Sequence, residues 1–530
     1  MFAAEKITSD SNRGLSRPGR MPLPRNFITW LLDKGIFLSF NFVRAAFCRE
    51  EDNENYDVIP ISTFSNASYS CESSRVVPPP PLQPGYNEQF QSHLICSHII
   101  CTNIRILSFS RLRVLCALAG KFFFPLVFLY FMFPVSAFGS DFEQGFALRQ
   151  ILEIQRWPKI FSDLNAEFRR DSLTFQALSR FWIKKKTETT SLNFEVENNG
   201  FAQTNQIQQK NLGGNWSGGN QGARSLEFWN LSKKHHSGKK SEVSSTIERL
   251  DFSWSMGKWD FDLGRQPISL GTSHFLGILD ILSPFHPGYL DSSYKPGIDA
   301  FRIRTGFGAA GEAEIIAVPT RPWQNRATLG RWRNNFSGFD FEIVGGRFRD
   351  RNMAGIGYDG ERKKITYWGE IAFFERKPQK EGFRGGNPRF ALSWISGCEK
   401  EIRPKLRMGL AVMHQDFGVS DSKKLVQVFS DAPFKEGWTF LGGKTYGLLT
   451  MKKECSPLIN GDLSGIWNAN DGSTLWQPKV TFNTGDNSDI AVFSWLATGK
   501  SPSTAGFSVS TPSEFGLFPS GLGVIARRFF

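Results

Sequence analysis

Apolar and polar residues alternate one by one along much of the chain after residue 140. Leu250, Phe252 and Trp254, for example, are separated by Asp251 and Ser253. Comparable apolar series are Trp259, Phe261 and Leu263; Phe339, Phe341 and Ile343; Phe390, Leu392 and Trp394; and Leu406, Met408, Leu410 and Val412. Because strict alternation gives a strand one apolar and one polar face, the pattern predicts an all-β protein built from amphipathic strands.

Two architectures use such strands. A soluble β-sandwich buries the apolar faces in a core, whereas a transmembrane barrel turns them towards lipid. The stretches 242–256 and 258–270 are longer than the roughly five or six residues usual in soluble strands. Aromatic residues are abundant, and near strand ends they can form the interfacial girdles of barrels; the tryptophans so placed are Trp182, Trp259, Trp332, Trp368, Trp476 and Trp495. We therefore predict a transmembrane antiparallel β-barrel.

The barrel prediction assigns faces to residues and a range to the strand number. The residues expected to face lipid are Leu250, Phe252, Trp254, Phe339 and Phe341. At roughly 22–28 residues for a strand with its connection, the chain after residue 140 gives about 14–18 strands, with sixteen as the central value. Met256–Trp259 is predicted to be a tight turn, and 198–223 and 456–474 are predicted to be long polar loops.

A secretory signal lies inside the chain. Three basic residues between positions 111 and 121 precede an apolar run, 122–133, and small residues follow at 134–137. This order is typical of a signal peptide, and the run is shorter than the roughly 20 residues of a spanning helix. We predict cleavage near Ala137; the alternative is a single anchoring helix over 114–138.

The signal divides the chain into a non-globular extension over 1–103, a signal peptide over 104–137 and a barrel domain over 138–530. The extension has no sustained periodicity, so no packed domain is expected there. Our preferred explanation is a start site assigned too far upstream; a real disordered extension on an anchored protein is the alternative. The two cysteines of the barrel domain, Cys398 and Cys455, could form a disulfide or remain free thiols.

The end of the chain carries a family resemblance. Leu522, Val524, Ala526 and Phe530 share one face of a final predicted strand. Here the sequence resembles Gram-negative outer-membrane β-barrel proteins, whose last strand ends in a Phe that the assembly machinery reads. Arg528 departs from that pattern, which has an apolar or aromatic residue there. The resemblance implies that Phe530 is an assembly signal and that the protein lies in a bacterial outer membrane.

A second resemblance covers residues 251–305. A strand ending in Gly264-Arg265-Gln266 leads to a loop rich in Asp and Pro, and a strand containing Asp299 and Arg302 follows. This order is similar to a segment of porin-like outer-membrane proteins. The resemblance indicates a class of protein without naming a solute.

The loop Gly271–Gly297 is expected to fold back into the lumen as a constriction. The residues expected to line the pore are Asp260, Asp262, Arg265, Asp280, Asp299, Arg302 and Arg304. Alternation alone places Arg265 outside, so a bulge at Gly264 would be needed to turn it inward.

Charge and motifs narrow the function. Of the formal net charge of +13, +3 belongs to residues 1–140 and +10 to the rest, without a dense basic block. Nucleic acid is therefore not an expected partner, whereas a basic excess inside a channel would favour anionic solutes. His235 and His236 lie in a Lys-rich turn, and no spacing of Cys and His suggests a metal site. No catalytic residue, metal or cofactor is predicted.

We therefore predict a porin-like outer-membrane channel for passive diffusion of small polar or anionic solutes. Its expected partners are outer-membrane lipid, the assembly machinery and the solutes, and an oligomer is compatible with the sequence. The alternative is a secreted or envelope β-protein that binds glycans or surface polymers without a pore. A barrel hydrolase would need a Ser/His pair brought together by the fold.

Overall fold

The structure, a computed structural model, describes residues 142–165, 167–205, 226–284, 294–377, 389–437, 439–505 and 508–530. The predicted extension, the signal peptide and the alternative anchoring helix lie outside these residues. Within the described ranges, no helix is long and apolar enough to cross a membrane.

Strands account for most of the described residues. In chain order they are β1 (Phe142–Arg156), β2 (Asp171–Lys186), β3 (Thr190–Gln203), β4 (Ser232–Ser237), β5 (Ser241–Met256), β6 (Trp259–Gln266), β7 (Ile298–Phe307), β8 (Gly311–Val318), β9 (Ala327–Phe336), β10 (Phe339–Phe348), β11 (Arg351–Arg362), β12 (Ile365–Glu375), β13 (Phe390–Arg403), β14 (Leu406–Gln415), β15 (Thr445–Ser456), β16 (Ile459–Asn468), β17 (Thr474–Gly485), β18 (Ser488–Thr498), β19 (Ser503–Ala505), β20 (Ser508–Ser510) and β21 (Ser520–Phe529). Within the described ranges, three short α-helices lie in connections: α1 (Lys159–Leu164), α2 (Leu425–Val428) and α3 (Ala432–Lys435).

The main sheet closes on itself. Its strands pair antiparallel, and β1 pairs with β2 on one side and with the last strand, β21, on the other. In the described part of the chain β4 pairs only with β5, so the closed wall has eighteen strands. The predicted antiparallel barrel is thus confirmed. The central value of sixteen strands was two too low, because the connections at one end of the barrel are shorter than the average that we assumed.

The two ends of the barrel differ in their connections. At one end neighbouring strands are joined by tight turns; Gly257 between β5 and β6 has a φ of +61°, which glycine adopts without strain. At the other end lie long connections: 157–170, 267–297, 416–444 and 499–519. Short turns face the periplasm in outer-membrane barrels. The predicted turn at Met256–Trp259 is present, whereas the predicted loop 456–474 was wrong, because β16 lies within it.

The outer face of the wall is apolar. Among the residues predicted to face lipid, Leu250, Phe252 and Trp254 are exposed on β5, and Phe339 and Phe341 are half-buried on β10. All five occupy outward positions, that is, the alternate positions of their strands whose side chains point away from the barrel interior (the outward parity, as opposed to the inner parity). Contact with lipid itself remains a prediction that mutation can test.

An apolar core fills part of the interior at the end with long connections. Wall strands and connections both contribute to one buried cluster, whose members include Leu279, Val344, Phe374, Ile395, Leu448, Ile466, Phe493, Trp495 and Phe515. Trp368, which we expected near an interface, is also buried inside, where its ring centroid lies 5.5 Å from that of His274. The alternating pattern predicts strands with one polar face, but the inner face of β11–β18 is largely apolar at this level.

Candidate functional site

The inner face of β6–β10 carries arginines that are paired with carboxylates, and we call this surface the charged wall. The pairs and their N–O distances are Arg304–Asp262, 2.7 Å; Arg302–Glu314, 2.5 Å; Arg333–Glu342, 3.2 Å; and Arg331–Glu314, 2.8 Å. In each of the first three pairs the arginine is the more exposed partner; for Arg333 and Glu342 the exposed fractions are 46% and 1%. Arg304 and Arg333 therefore present guanidinium groups to the interior, whereas in the pair Arg331–Glu312 the carboxylate side chain is the more exposed, at 36% against 7%.

A second charged cluster lies on β2, β3 and β5. Arg180 Nε is 2.7 Å from Glu195 Oε1, and Arg180 Nη2 is 2.5 Å from Glu197 Oε2. The ring of Tyr294 packs against this cluster, with its centroid 3.1 Å from the Cζ of Arg180 and 4.5 Å from that of Arg249. Burial raises the pKa of Tyr294 far above its ordinary value, and the two arginines oppose this rise. The end of the β6–β7 connection is thus held against this part of the wall.

The first part of the β6–β7 connection, residues 267–284, extends across the interior, and we call it the crossing segment. It contacts strands that are distant from β6 in the barrel order. Gly271 N donates to Glu342 Oε1 on β10 at 2.7 Å, and His274 Nε2 lies 3.2 Å from Asp359 Oδ2 on β11. The crossing segment therefore occupies the lumen beside the charged wall.

The two described parts of this connection are also tied to each other. Lys295 Nζ lies 2.5 Å from Asp280 Oδ1 and donates to Ser269 Oγ at 3.1 Å. Burial raises the pKa of Asp280, and the neighbouring ammonium group of Lys295 opposes this rise. The ion pair leaves this part of the connection without net charge.

Five of the predicted lining residues lie towards the interior. Asp262, Arg302 and Arg304 belong to the pairs of the charged wall, and Asp260 accepts a hydrogen bond from Ser255 Oγ at 2.6 Å. Asp280 lies in the crossing segment, bound to Lys295.

Arg265 and Asp299 differ from the prediction. Only 1% and 0% of their side chains are exposed, and Arg265 Nε donates to Asp299 Oδ1 at 2.8 Å. Phe228 N and Trp229 N donate to Asp299 Oδ2 at 2.8 and 2.9 Å. The strand ladders run through Gly264 without a register shift, so the bulge that would turn Arg265 inward is absent from this part of the structure. Both charges are enclosed, and neither lines an open passage.

Several residues of the site were missed by the sequence analysis. Glu370 on β12 and Arg180 on β2 contact the β6–β7 connection, and Tyr294 is the residue of that connection that Arg180 contacts. The signal for Glu370 was a single acid at an inner position between the apolar residues Trp368 and Ala372. Nothing local marks Tyr294, because its partners lie on distant strands.

The described residues also bear on catalysis and on cysteine chemistry. His235 Nε2 lies 2.7 Å from Ser245 Oγ, but this hydroxyl donates to Asn198 Oδ1 at 2.6 Å, and no acid contacts His235 in the described ranges. This is not the arrangement of an activated nucleophile. Cys398 and Cys455 are both free.

The barrel geometry defines a class of protein. A closed, even-numbered antiparallel barrel with an apolar outer face, tight turns at one end and long connections at the other is the architecture of outer-membrane β-barrels. The protein has this porin-like fold, which places it in a bacterial outer membrane, as predicted.

Comparisons with known proteins found similar structures only. Neither a protein-family model nor a curated protein matches the chain. OccAB4 of Acinetobacter baumannii has 9% sequence identity and a TM-score of 0.44, over 74% of this chain and 98% of that one. OccK5 (OpdH) of Pseudomonas aeruginosa has 7% identity and a TM-score of 0.44, over 74% and 99%. OmpF of Salmonella typhi in complex with daunomycin has 9% identity and a TM-score of 0.38, over 74% and 98%. At such identities the likeness concerns the fold alone.

Proposed function

We propose that the protein is a passive outer-membrane channel for small polar solutes, with a preference for anions. The observation that carries this proposal is the position of the crossing segment, which lies inside a closed barrel next to the partly exposed Arg304 and Arg333 of the charged wall. A passage between the two would be narrow and lined by guanidinium groups. Such groups bind carboxylate and phosphate oxygens with two parallel hydrogen bonds.

The position of the apolar core also indicates that a solute passage would run along the charged wall. Phe493, Phe515 and Leu279 are fully or nearly fully buried, so the part of the interior that they fill is packed. A hydrated route would instead follow the charged wall, where Arg304 and Arg333 remain partly exposed. Charges on that route act strongly only at short range, since physiological salt screens them beyond about 8 Å.

Planar-bilayer recording tests this proposal directly. Protein purified in detergent from the envelope should give stepwise single-channel currents, and its reversal potential across a KCl gradient should indicate preference for chloride. Stepwise currents with cation preference would refute the anion part alone. No current from a folded barrel would refute the channel and favour the glycan-binding alternative, which binding to envelope polysaccharides would then test.

A further inference from the structure

Glu370 lies at the centre of the contact between the crossing segment and the wall. Its side chain points inward from β12, on the parity opposite to the exposed residues Tyr367 and Phe373. Only 3% of Glu370 is exposed. A carboxylate buried to this extent needs several hydrogen-bond donors to compensate for its lost hydration.

Four backbone N–H groups of the crossing segment supply these donors. Thr272 N and Ser273 N donate to Oε1 at 2.6 and 2.7 Å. Ile278 N and Leu279 N donate to Oε2 at 2.6 and 2.9 Å. The chain thus turns around the carboxylate, so that each oxygen accepts from two consecutive residues.

The neighbouring strand, β11, has glycines where the crossing segment packs against it. A Cβ added to Gly357 on β11 would lie 2.7 Å from Thr272 Oγ1, and one added to Gly355 would lie 2.4 Å from Leu279 Cδ2. Both glycines occupy inward positions, where any side chain would displace the crossing segment. The wall therefore provides an anchoring carboxylate beside a surface without side chains.

We propose that Glu370 is a positioning residue that holds residues 272–279 across the lumen and thereby sets the width of the passage. The second part rests on the proposed channel function, whereas the first does not. Other contacts fix the ends of the segment, through Glu342 to Gly271 and through Lys295 to Asp280. Loss of Glu370 should therefore release the middle of the segment and leave its ends in place.

Hydrogen exchange measured by mass spectrometry tests the anchoring without any transport. In Glu370→Gln the side chain keeps its size, but its NH2 group cannot accept from the two N–H donors that face it. Exchange in a peptide covering residues 271–279 should become faster by at least about tenfold, the factor for losing one hydrogen bond to a charged group. Gly357→Ala, which leaves Glu370 intact, should change exchange in the same direction.

Asp489→Asn is the matched control. Asp489 lies on the inner parity of β18, 2.8 Å from Arg527 Nε, and no contact with the crossing segment is present in the described part of the chain. This variant removes the same negative charge from the interior and should leave exchange at 271–279 unchanged. Heat-modifiable gel migration identifies the folded barrels to be compared.

The outcomes separate the two parts of the proposal. Unchanged exchange in a folded Glu370→Gln barrel would overturn the anchoring. Faster exchange together with a higher single-channel conductance, absent from Asp489→Asn, would support both parts. Faster exchange with the conductance of the control would overturn the statement about passage width. Faster exchange in a protein that conducts nothing would support the anchoring and refute the proposed function.

Discussion

Arg304 Nη2 lies 2.7 Å from Asp262 Oδ2, and the arginine keeps 32% of its side chain exposed whereas the aspartate keeps 5%. The carboxylate therefore holds the guanidinium in place while the guanidinium faces the interior. The formal charges of the two side chains cancel. An ion near the wall would meet the positive partner first, because Coulomb attraction falls with distance and is screened by water.

Removing arginines from the charged wall should change ion selectivity. The double variant Arg302→Ala, Arg304→Ala leaves Glu314 and Asp262 without these partners, so its reversal potential should move towards cation preference. The control is Arg527→Gln with Asp489→Asn, which removes an ion pair of β21 and β18 at constant net charge, keeps Arg302 and Arg304, and should shift selectivity much less. Equal shifts in both variants would show that the exposed guanidinium is not the cause.

Charge on the outer face should destabilise the barrel. Phe252 is 46% exposed on the outward parity of β5, so Phe252→Arg should lower the free energy of unfolding in lipid by roughly 2–4 kcal/mol if the site lies near the midplane. Phe341→Arg on β10 should behave alike. Ser253→Arg is the control, because the neighbouring position faces the interior beside Asp262. Similar costs for Phe252→Arg and Ser253→Arg, measured by urea titration in vesicles, would contradict the assignment of faces.

Deletion of Phe530 should impair insertion. Phe530 N donates to Phe146 O at 2.8 Å, and their ring centroids lie 5.8 Å apart where β21 meets β1. The truncated chain should accumulate in the periplasm and be degraded, as fractionation with immunoblotting would show. Phe529→Ala, which removes an aromatic ring at the adjacent position, should insert normally. Normal insertion of the truncated chain would refute the role of Phe530.

The stability of the barrel should depend on pH through Glu514, which lies in the long connection 499–519. Glu514 is fully buried, and burial raises its pKa to about 7, although hydrogen bonds from Tyr446 Oη and Gly442 N oppose the rise. The pKa of Glu514 in the folded protein lies above its ordinary value of 4.5. The contribution of Glu514 to the free energy of unfolding is therefore complete below about pH 4.5 and is lost as pH rises through 7. The loss is on the order of 3 kcal/mol.

Thermal unfolding, followed by heat-modifiable migration, measures this effect. The wild-type barrel should melt at a lower temperature at about pH 8.5 than at about pH 5.5, and Glu514→Gln should remove most of the difference. A pH dependence that persists in Glu514→Gln would assign it to other groups.

The mature chain is predicted to begin near Phe138. N-terminal sequencing of protein from the envelope should give residues that follow Ala137, as the order of basic, apolar and small residues predicts. A peptide from residues 1–100 in that fraction would refute the prediction.

The strands could be predicted wherever large apolar residues mark the outer face. β5 shows this, because Leu250, Phe252 and Trp254 alternate with polar residues. β16 was missed because Gly461 and Gly465 occupy two of its outward positions, which hides the alternation. A glycine in a strand has no side chain to reveal its face.

The site was less predictable than the strands. Parity correctly separated the faces of β7, so Arg302 and Arg304 were found at inward positions. It could not anticipate that residues 227–229 enclose Arg265 and Asp299, since that contact joins distant parts of the chain. The apolar interior was missed for the same reason. Inner residues of β18 such as Phe493 belong to one buried cluster with Phe515 of a distant connection, so they are not exposed to solvent.

The contact between Thr272 and Glu370 joins positions 98 residues apart, and every strand that holds the crossing segment follows it in the chain. Closing such a long loop is entropically costly until the intervening strands have paired. The segment can therefore reach its final position only after β12 has joined the growing sheet. A barrel in which β12 had not yet paired would lack the Glu370 carboxylate that binds residues 272–279, so the space that the crossing segment fills beside β12 would stay open to water.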